Sequence, residues 1–200
     1  MKVVVWDTET TGLPVNGGTL EQQPYIIQFA SIACEIDRDW NYTEIERKNI
    51  LVKPPVSIPF SSSQVHGIYD RDVAEKPPIQ GEMDTIIAFL HSADTVVWHN
   101  IEYDEFVLKC ELERLGRKGE YMPTQTLCTM RASTDFCQLP WRGFSYKAPK
   151  LSELHRFLFD EWFEGAHDAM VDVEATLRSF GALVKKKVII LEENPVMRLF

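Results

Sequence analysis

A mixed β-sheet covered by helices, within one α/β domain, is the fold class this sequence predicts, and three observations point to it. Apolar, β-rich runs crowd the first quarter of the chain. Helical periodicity dominates the last quarter, and a short apolar run in the middle leads straight into an amphipathic segment. Strands early and helices late suit a mixed sheet flanked by helices better than a regular βαβ repeat. A chain of 200 residues, 44% hydrophobic and 26% charged, is long enough to bury one substantial core.

Taken in order, "VVVWD" (3–7) reads as a buried strand that ends where carboxylates, threonines and a glycine begin. "GLPVNGG" is a loop by its Gly and Pro content. "YIIQFASIACEID" (25–37) is a second strand, and residues 50–53 close a third. "KPPVSIPFSSS" (53–63) is irregular, because its prolines remove ladder donors and its serines favour turns. A helix follows at 83–92, a short buried strand at 93–100, and an amphipathic helix at 102–116 that Gly116 closes. Residues 121–149 read as a long loop. Helices at 150–159 and 167–184 complete the pattern, the second with Met170, Val173, Leu177 and Phe180 along one stripe. Residues 1–184 thus form the domain, and 185–200 a final strand or a frayed tail.

The balance of 21 basic against 30 acidic residues gives a formal charge of −9, so no chain-wide field draws this protein to nucleic acid. Such a partner needs local positive charge. Cys34, Cys110, Cys128 and Cys137 show no close pairing of the Cys-x-x-Cys kind and read as buried reduced thiols. The start "MKVVVWD" reaches an aspartate too early for a signal peptide or a membrane span, so the expectation is a cytoplasmic protein without membrane contact.

The chemistry-bearing residues are acids placed at element ends. Asp7 and Glu9 are two apart on a strand and project from one face, where they repel each other. In "VVWHNIEYDEF", Asn100 is placed to cap a helix whose first turns carry Asp104, with Glu102 and Glu105 as rivals that composition does not separate. "GAHDAMVDVEAT" offers His167, Asp168 and Asp172. Residues five apart on a helix are turned by about 500°, so His167 and Asp172 converge only if His167 lies in the loop ahead of the helix. Gly165 permits such a loop, and Asp168 then caps the helix or is exposed.

"DTETTG", "HNIEYD" and "HDAMVD", in that order and spacing, resemble the three motifs of the DEDDh (DnaQ-like) 3′–5′ exonucleases, which include polymerase proofreading subunits and exonuclease X. The resemblance covers roughly residues 1–184 and implies a ribonuclease H-like fold, a central mixed sheet flanked by helices. It carries the metal-binding acids onto Asp7, Glu9, Asp104 and Asp172, and the general base onto His167. "QVHGI" resembles a substrate-holding segment of the family, which assigns that role to His66. Two departures stand out. Gln125 replaces a frequent aspartate, and the third motif reads His-Asp-Ala, which bears on substrate preference rather than chemistry.

The residue types suit phosphodiester hydrolysis. Two Mg²⁺ or Mn²⁺ ions about 3.5–4 Å apart activate water and neutralise a leaving alkoxide, and such hard ions take oxygen ligands. The implied arrangement has Asp7 bridging both ions, Glu9 and Asp172 completing them, and Asp104 acting through water. Histidine, with an ordinary pKa of about 6.5, suits proton removal from that water. Gly12 and Leu13 are placed for close approach to the last nucleotide, Leu13 as a wedge; Lys147, Lys150 and Arg142 are candidate phosphate contacts, and Trp141 and Phe144 read as packing residues. The implied substrate is a single-stranded or frayed DNA 3′ end. Trimming of RNA 3′ ends and a non-catalytic replisome module are the alternatives, and the tail "NPVMRLF" is a candidate contact for a polymerase or sliding clamp.

Overall fold

The computed structural model describes residues 1–37, 41–141, 143 and 145–191. Its elements run β1 (Lys2–Thr10), β2 (Ile26–Ile36), β3 (Tyr42–Leu51), α1 (Phe60–His66), α2 (Asp70–Val73), α3 (Ile79–His91), β4 (Thr95–Trp98), α4 (Ile101–Arg114), β5 (Thr126–Cys128), α5 (Thr129–Cys137), α6 (Leu151–Phe159) and α7 (Ala169–Lys185). The five strands form one mixed sheet in the order β3-β2-β1-β4-β5. β1 is antiparallel to β2 and parallel to β4, and β4 is parallel to β5. Helices cover both faces, as the ribonuclease H-like expectation requires.

Alternation along β1 assigns its side chains. Val4 and Trp6 enter the core shared with α3 and α4, among Met83, Ile86, Leu90, Val107 and Leu108. Val3 and Val5 enter the opposite core, among Val173, Leu177, Phe180 and Leu183 of α7. By the period of two, Asp7 and Glu9 continue the Val3 and Val5 face toward α7, and Thr8 turns toward α4. Of the α7 stripe, Val173, Leu177 and Phe180 are buried and Met170 is partly buried against them.

Several expectations are corrected. β1 runs three residues past the expected end at Asp7, because β2 keeps pairing as far as Thr10. β3 begins at Tyr42, far ahead of residue 50. The segment 53–63 already contains the first residues of α1, and the supposed loop 121–149 holds β5 and α5. Asn100 sits at the α4 N-cap with φ of 70° and makes no side-chain cap; its carbonyl accepts from the Tyr103 N–H (3.1 Å) instead. Residues 186–191 form no strand, although Ile189 and Leu191 are buried against the α7 core. The tail from residue 192, Arg142 and Phe144 lie outside the described residues. All four cysteines are buried and free, and among the described residues no helix is long and apolar enough to cross a membrane.

Candidate active site

The site forms where β1 outruns β4. Pairing of β1 with β4 stops at Val5 opposite Val97, while pairing with β2 continues through Glu9 opposite Gln28. Beyond Val5 the β4 side of β1 is free of a strand, and α4 fills that place. The Thr8 N–H (3.1 Å) and Thr8 Oγ1 (2.6 Å) both donate to Asp104 Oδ1. A backbone donor that a fourth neighbouring strand residue would have taken is thus met by a carboxylate. Between Glu9 and Thr10 the register shifts, a bulge of the kind that re-aims side chains at sheet rims.

α7 delivers the remaining acid. Asp168 caps it, accepting from the N–H groups of Met170 (2.9 Å) and Val171 (3.3 Å). Asp172 follows in the first turn, and its Oδ2 accepts from the His167 N–H at 3.0 Å. His167 itself is exposed, in the loop ahead of the helix, with φ of 70°. That loop turns at Gly165, where φ is 80° and a Cβ would meet the Val171 side chain at 3.4 Å. The α7 N-terminus is also anchored to the sheet, since the Ala169 N–H donates to Gln28 Oε1 (3.3 Å) and Gln28 Nε2 donates to Asn49 Oδ1 (3.0 Å).

Carboxylate oxygens of Asp7, Glu9 and Asp172 lie within 4.8 Å of one another. Asp104 stands beside them, tied to Thr8 and only 3% exposed. Its two rivals are engaged elsewhere: Glu102 pairs with Arg131 and Glu105 with Lys109. Burial pushes the Glu9 carboxyl up to about 9, with Asp172 and Asp104 adding repulsion. Asp7 is held well above the ordinary carboxylate range by burial and then by Asp104, Asp172 and Glu9. Burial likewise lifts Asp104 to about 7, against the pull of the Thr8 bonds, and Asp172 to about 6, against the His167 N–H. Among the described residues no lysine or arginine forms an ion pair with any of the four. Converging hard oxygen donors whose mutual repulsion the protein leaves uncompensated fit a divalent cation site.

The strand-to-loop corner after β1 is braced. Tyr103 Oη donates to the Gly12 carbonyl (2.8 Å) and contacts Thr10 Oγ1. Ser62 Oγ on α1 donates to the Thr11 carbonyl (2.9 Å). Leu13 stands 79% exposed just beyond. His66 accepts from the Ile68 N–H at Nδ1 (3.1 Å), so Nε2 carries its proton. That Nε2 is buried and, among the described residues, outside hydrogen-bond geometry of any acceptor, although the Thr10 carbonyl is near enough to oppose part of the burial that lowers this imidazole's pKa.

Other motif residues serve the frame. His99 bridges Thr129 Oγ1 (2.9 Å) and the Pro149 carbonyl (3.0 Å), and burial lowers its pKa to about 4. Gln125 Oε1 accepts from Thr95 Oγ1 (2.9 Å) at the opposite end of β4 from the acids. Lys147 pairs with Glu153, Lys150 is exposed at the α6 N-cap, and Trp141 is 58% exposed rather than packed. The sequence reading missed Tyr103 and Gln28; a polar residue inside the apolar run of β2 was the available signal for Gln28.

The family model for exonucleases, RNase_T, matches residues 4–180. The chain belongs to that exonuclease family. The DnaQ-like resemblance carried by the three motifs therefore holds. Among relatives, the 3′-5′ exonuclease DinG of Bacillus subtilis is 28% identical over 186 residues, covering 92% of this chain and 18% of DinG. DNA polymerase III subunit epsilon of Buchnera aphidicola is 25% identical over 173 residues, 86% of this chain and 68% of the subunit. E. coli exonuclease I, solved in complex with an oligonucleotide, superposes with a TM-score of 0.73 at 17% identity, over 93% of this chain and 41% of that one. The chain thus spans under a fifth of DinG and about two fifths of exonuclease I. These neighbours share the ribonuclease H-like fold.

Proposed function

We propose that this protein is a divalent-metal-dependent 3′–5′ exonuclease that releases nucleoside monophosphates from single-stranded or frayed DNA ends. The observation that carries the reading is the convergence of Asp7, Glu9 and Asp172 within 4.8 Å, with Asp104 alongside and, among the described residues, no lysine or arginine paired with them. Asp7, Glu9, Asp172 and Asp104 would hold Mg²⁺ or Mn²⁺, two ions in the proposal, which when bound supply positive charge at the phosphate and acidify water. A net charge of −9 is then no obstacle to binding a polyanion.

The chain's own groups do the rest. His167, exposed at the loop and tethered through its N–H to Asp172, accepts the proton of the attacking water. Gly12 presents a carbonyl held by Tyr103, and Leu13 offers an exposed apolar side chain to the terminal base. His66, beside the Thr10 carbonyl at the corner after β1, helps hold the terminal nucleotide. DNA rather than RNA is favoured because relatives of this chain are named for DNA synthesis.

The test is digestion of matched DNA and RNA oligonucleotides, labelled at either end, with Mg²⁺, Mn²⁺ or excess EDTA. Early loss of the 3′ label as mononucleotide, on DNA and only with metal, is the expected result. Equal cleavage in EDTA, or release of the 5′ label first, refutes the reading.

A further inference from the structure

The loop that carries His167 is gripped at its other end by a cluster that the acidic site does not use. His155 of α6 is only 3% exposed. A buried imidazole needs partners for both nitrogens, and here they are specific. Nε2 accepts from Arg178 Nη1 on α7 (3.2 Å), because a guanidinium can only donate. Nδ1 then donates to the Glu161 carbonyl (3.0 Å). The same Arg178 Nη1 also donates to the Glu161 carboxylate. Glu161 is therefore held through its backbone by one helix and through its side chain by another. Aromatic rings fill in around the cluster: Phe159 and Phe163 lie 4.7 and 5.2 Å from the His155 ring, and the Arg178 guanidinium carbon sits 4.0 Å from the Phe159 centroid.

The ion pair itself adds little stability: the Arg178 and Glu161 side chains are 49% and 52% exposed, and exposed pairs contribute about 0–1 kcal/mol. What it adds is a fixed geometry. The chain reverses at Asp160 (φ 58°), turns again at Gly165 (φ 80°), and reaches His167 (φ 70°) before Asp168 caps α7. Glycine takes such a conformation freely, but a histidine held at φ 70° needs surroundings that over-determine the loop. Arg178 references the start of the loop to α7, the helix that presents Asp172, and the His167 N–H references its end to Asp172 itself.

We propose that Arg178, His155 and Glu161 form a clamp that sets the position of His167 relative to Asp172, making them positioning residues for the reaction. The inference rests on the reading of His167 as the base. The test measures kcat, KM for a single-stranded oligonucleotide and Tm for Arg178→Ala and Glu161→Ala, alone and combined with His167→Ala. Arg47→Ala serves as the reference, since Arg47 pairs with Glu174 of α7 at the surface and does not contact the loop.

Each clamp variant should lower kcat by about tenfold with KM within about twofold, because loss of alignment acts on the transition state rather than on ground-state binding. Arg47→Ala should leave kcat unchanged. In the His167→Ala background Arg178→Ala should have no further effect. A deficit that persists undiminished in that background overturns the clamp while leaving the base assignment standing. So does a kcat loss matched by loss of folded protein in both Arg178→Ala and Glu161→Ala. An unaltered kcat in His167→Ala alone overturns the base assignment instead.

Discussion

Replacing Glu9 with glutamine should make the metal-free protein harder to unfold while destroying its activity. Glu9 is 9% exposed, and burial with its acidic neighbours lifts its titration from 4.5 to about 9. The native state therefore holds a proton that the unfolded chain has released between about pH 4.5 and about pH 9. Because the unfolded state binds fewer protons there, stability falls as pH rises through that window. At pH 7, about 2.5 pH units above the unfolded titration, holding that proton in the native state while the unfolded chain releases it costs roughly 3 kcal/mol at 1.36 kcal/mol per unit. Glutamine keeps the shape and has no proton to release, so the unfolded chain loses that advantage. For a chain of this size 1 kcal/mol moves Tm by about 2–4 °C, so the gain is roughly 6–12 °C. Thermal unfolding in EDTA from pH 4.5 to pH 9 reads it: the two proteins should start together and separate as pH rises. Saturating Mg²⁺ should shrink the gap by stabilising the wild type. A variant no more stable than wild type at pH 7, or a difference that is flat with pH, refutes the electrostatic reasoning.

Substitutions at three further residues separate roles. Asp104→Asn keeps an acceptor for both Thr8 bonds and removes a carboxyl whose titration burial lifts to about 7, so in EDTA at pH 7 it should gain Tm while losing cleavage, whereas Asp104→Ala should be less stable than Asp104→Asn by roughly 1–3 kcal/mol in urea unfolding, through the stranded Thr8 donors. His167→Ala should lower kcat by about 10²–10⁴-fold with oligonucleotide binding kept, as titrated by fluorescence anisotropy. Tyr103→Phe loses the brace on the Gly12 carbonyl and should raise KM severalfold, for a hydrogen bond worth about 1 kcal/mol, with kcat nearly unchanged.

The cores were legible because they follow simple periods. Val3 to Val5 and the α7 stripe are buried where alternation and 3.6-residue spacing place them. What escaped did so for identifiable reasons. β3, "YTEIERKNIL", is an edge strand whose charges deny a partner to a further strand, so its composition looks like a loop. β5 is three residues long, below what a periodicity can show. Thr8 to Thr10 are polar because they build the site, which hid the end of β1. At the site, the face shared by Asp7 and Glu9 followed from strand geometry. The choice of Asp104 over Glu102 and Glu105 did not, because it depends on a contact with Thr8 that lies 96 residues away.

That spacing has a temporal side. α7 packs on β1 and brings Asp172 and the His167 loop from the far end of the domain. A nascent chain emerging from the ribosome therefore holds Asp7 and Glu9 long before it holds their counterpart. Until nearly all of the domain has been synthesised and docked, the growing polypeptide carries no assembled carboxylate cluster, so on the proposed reading a half-made copy has nothing to cut with.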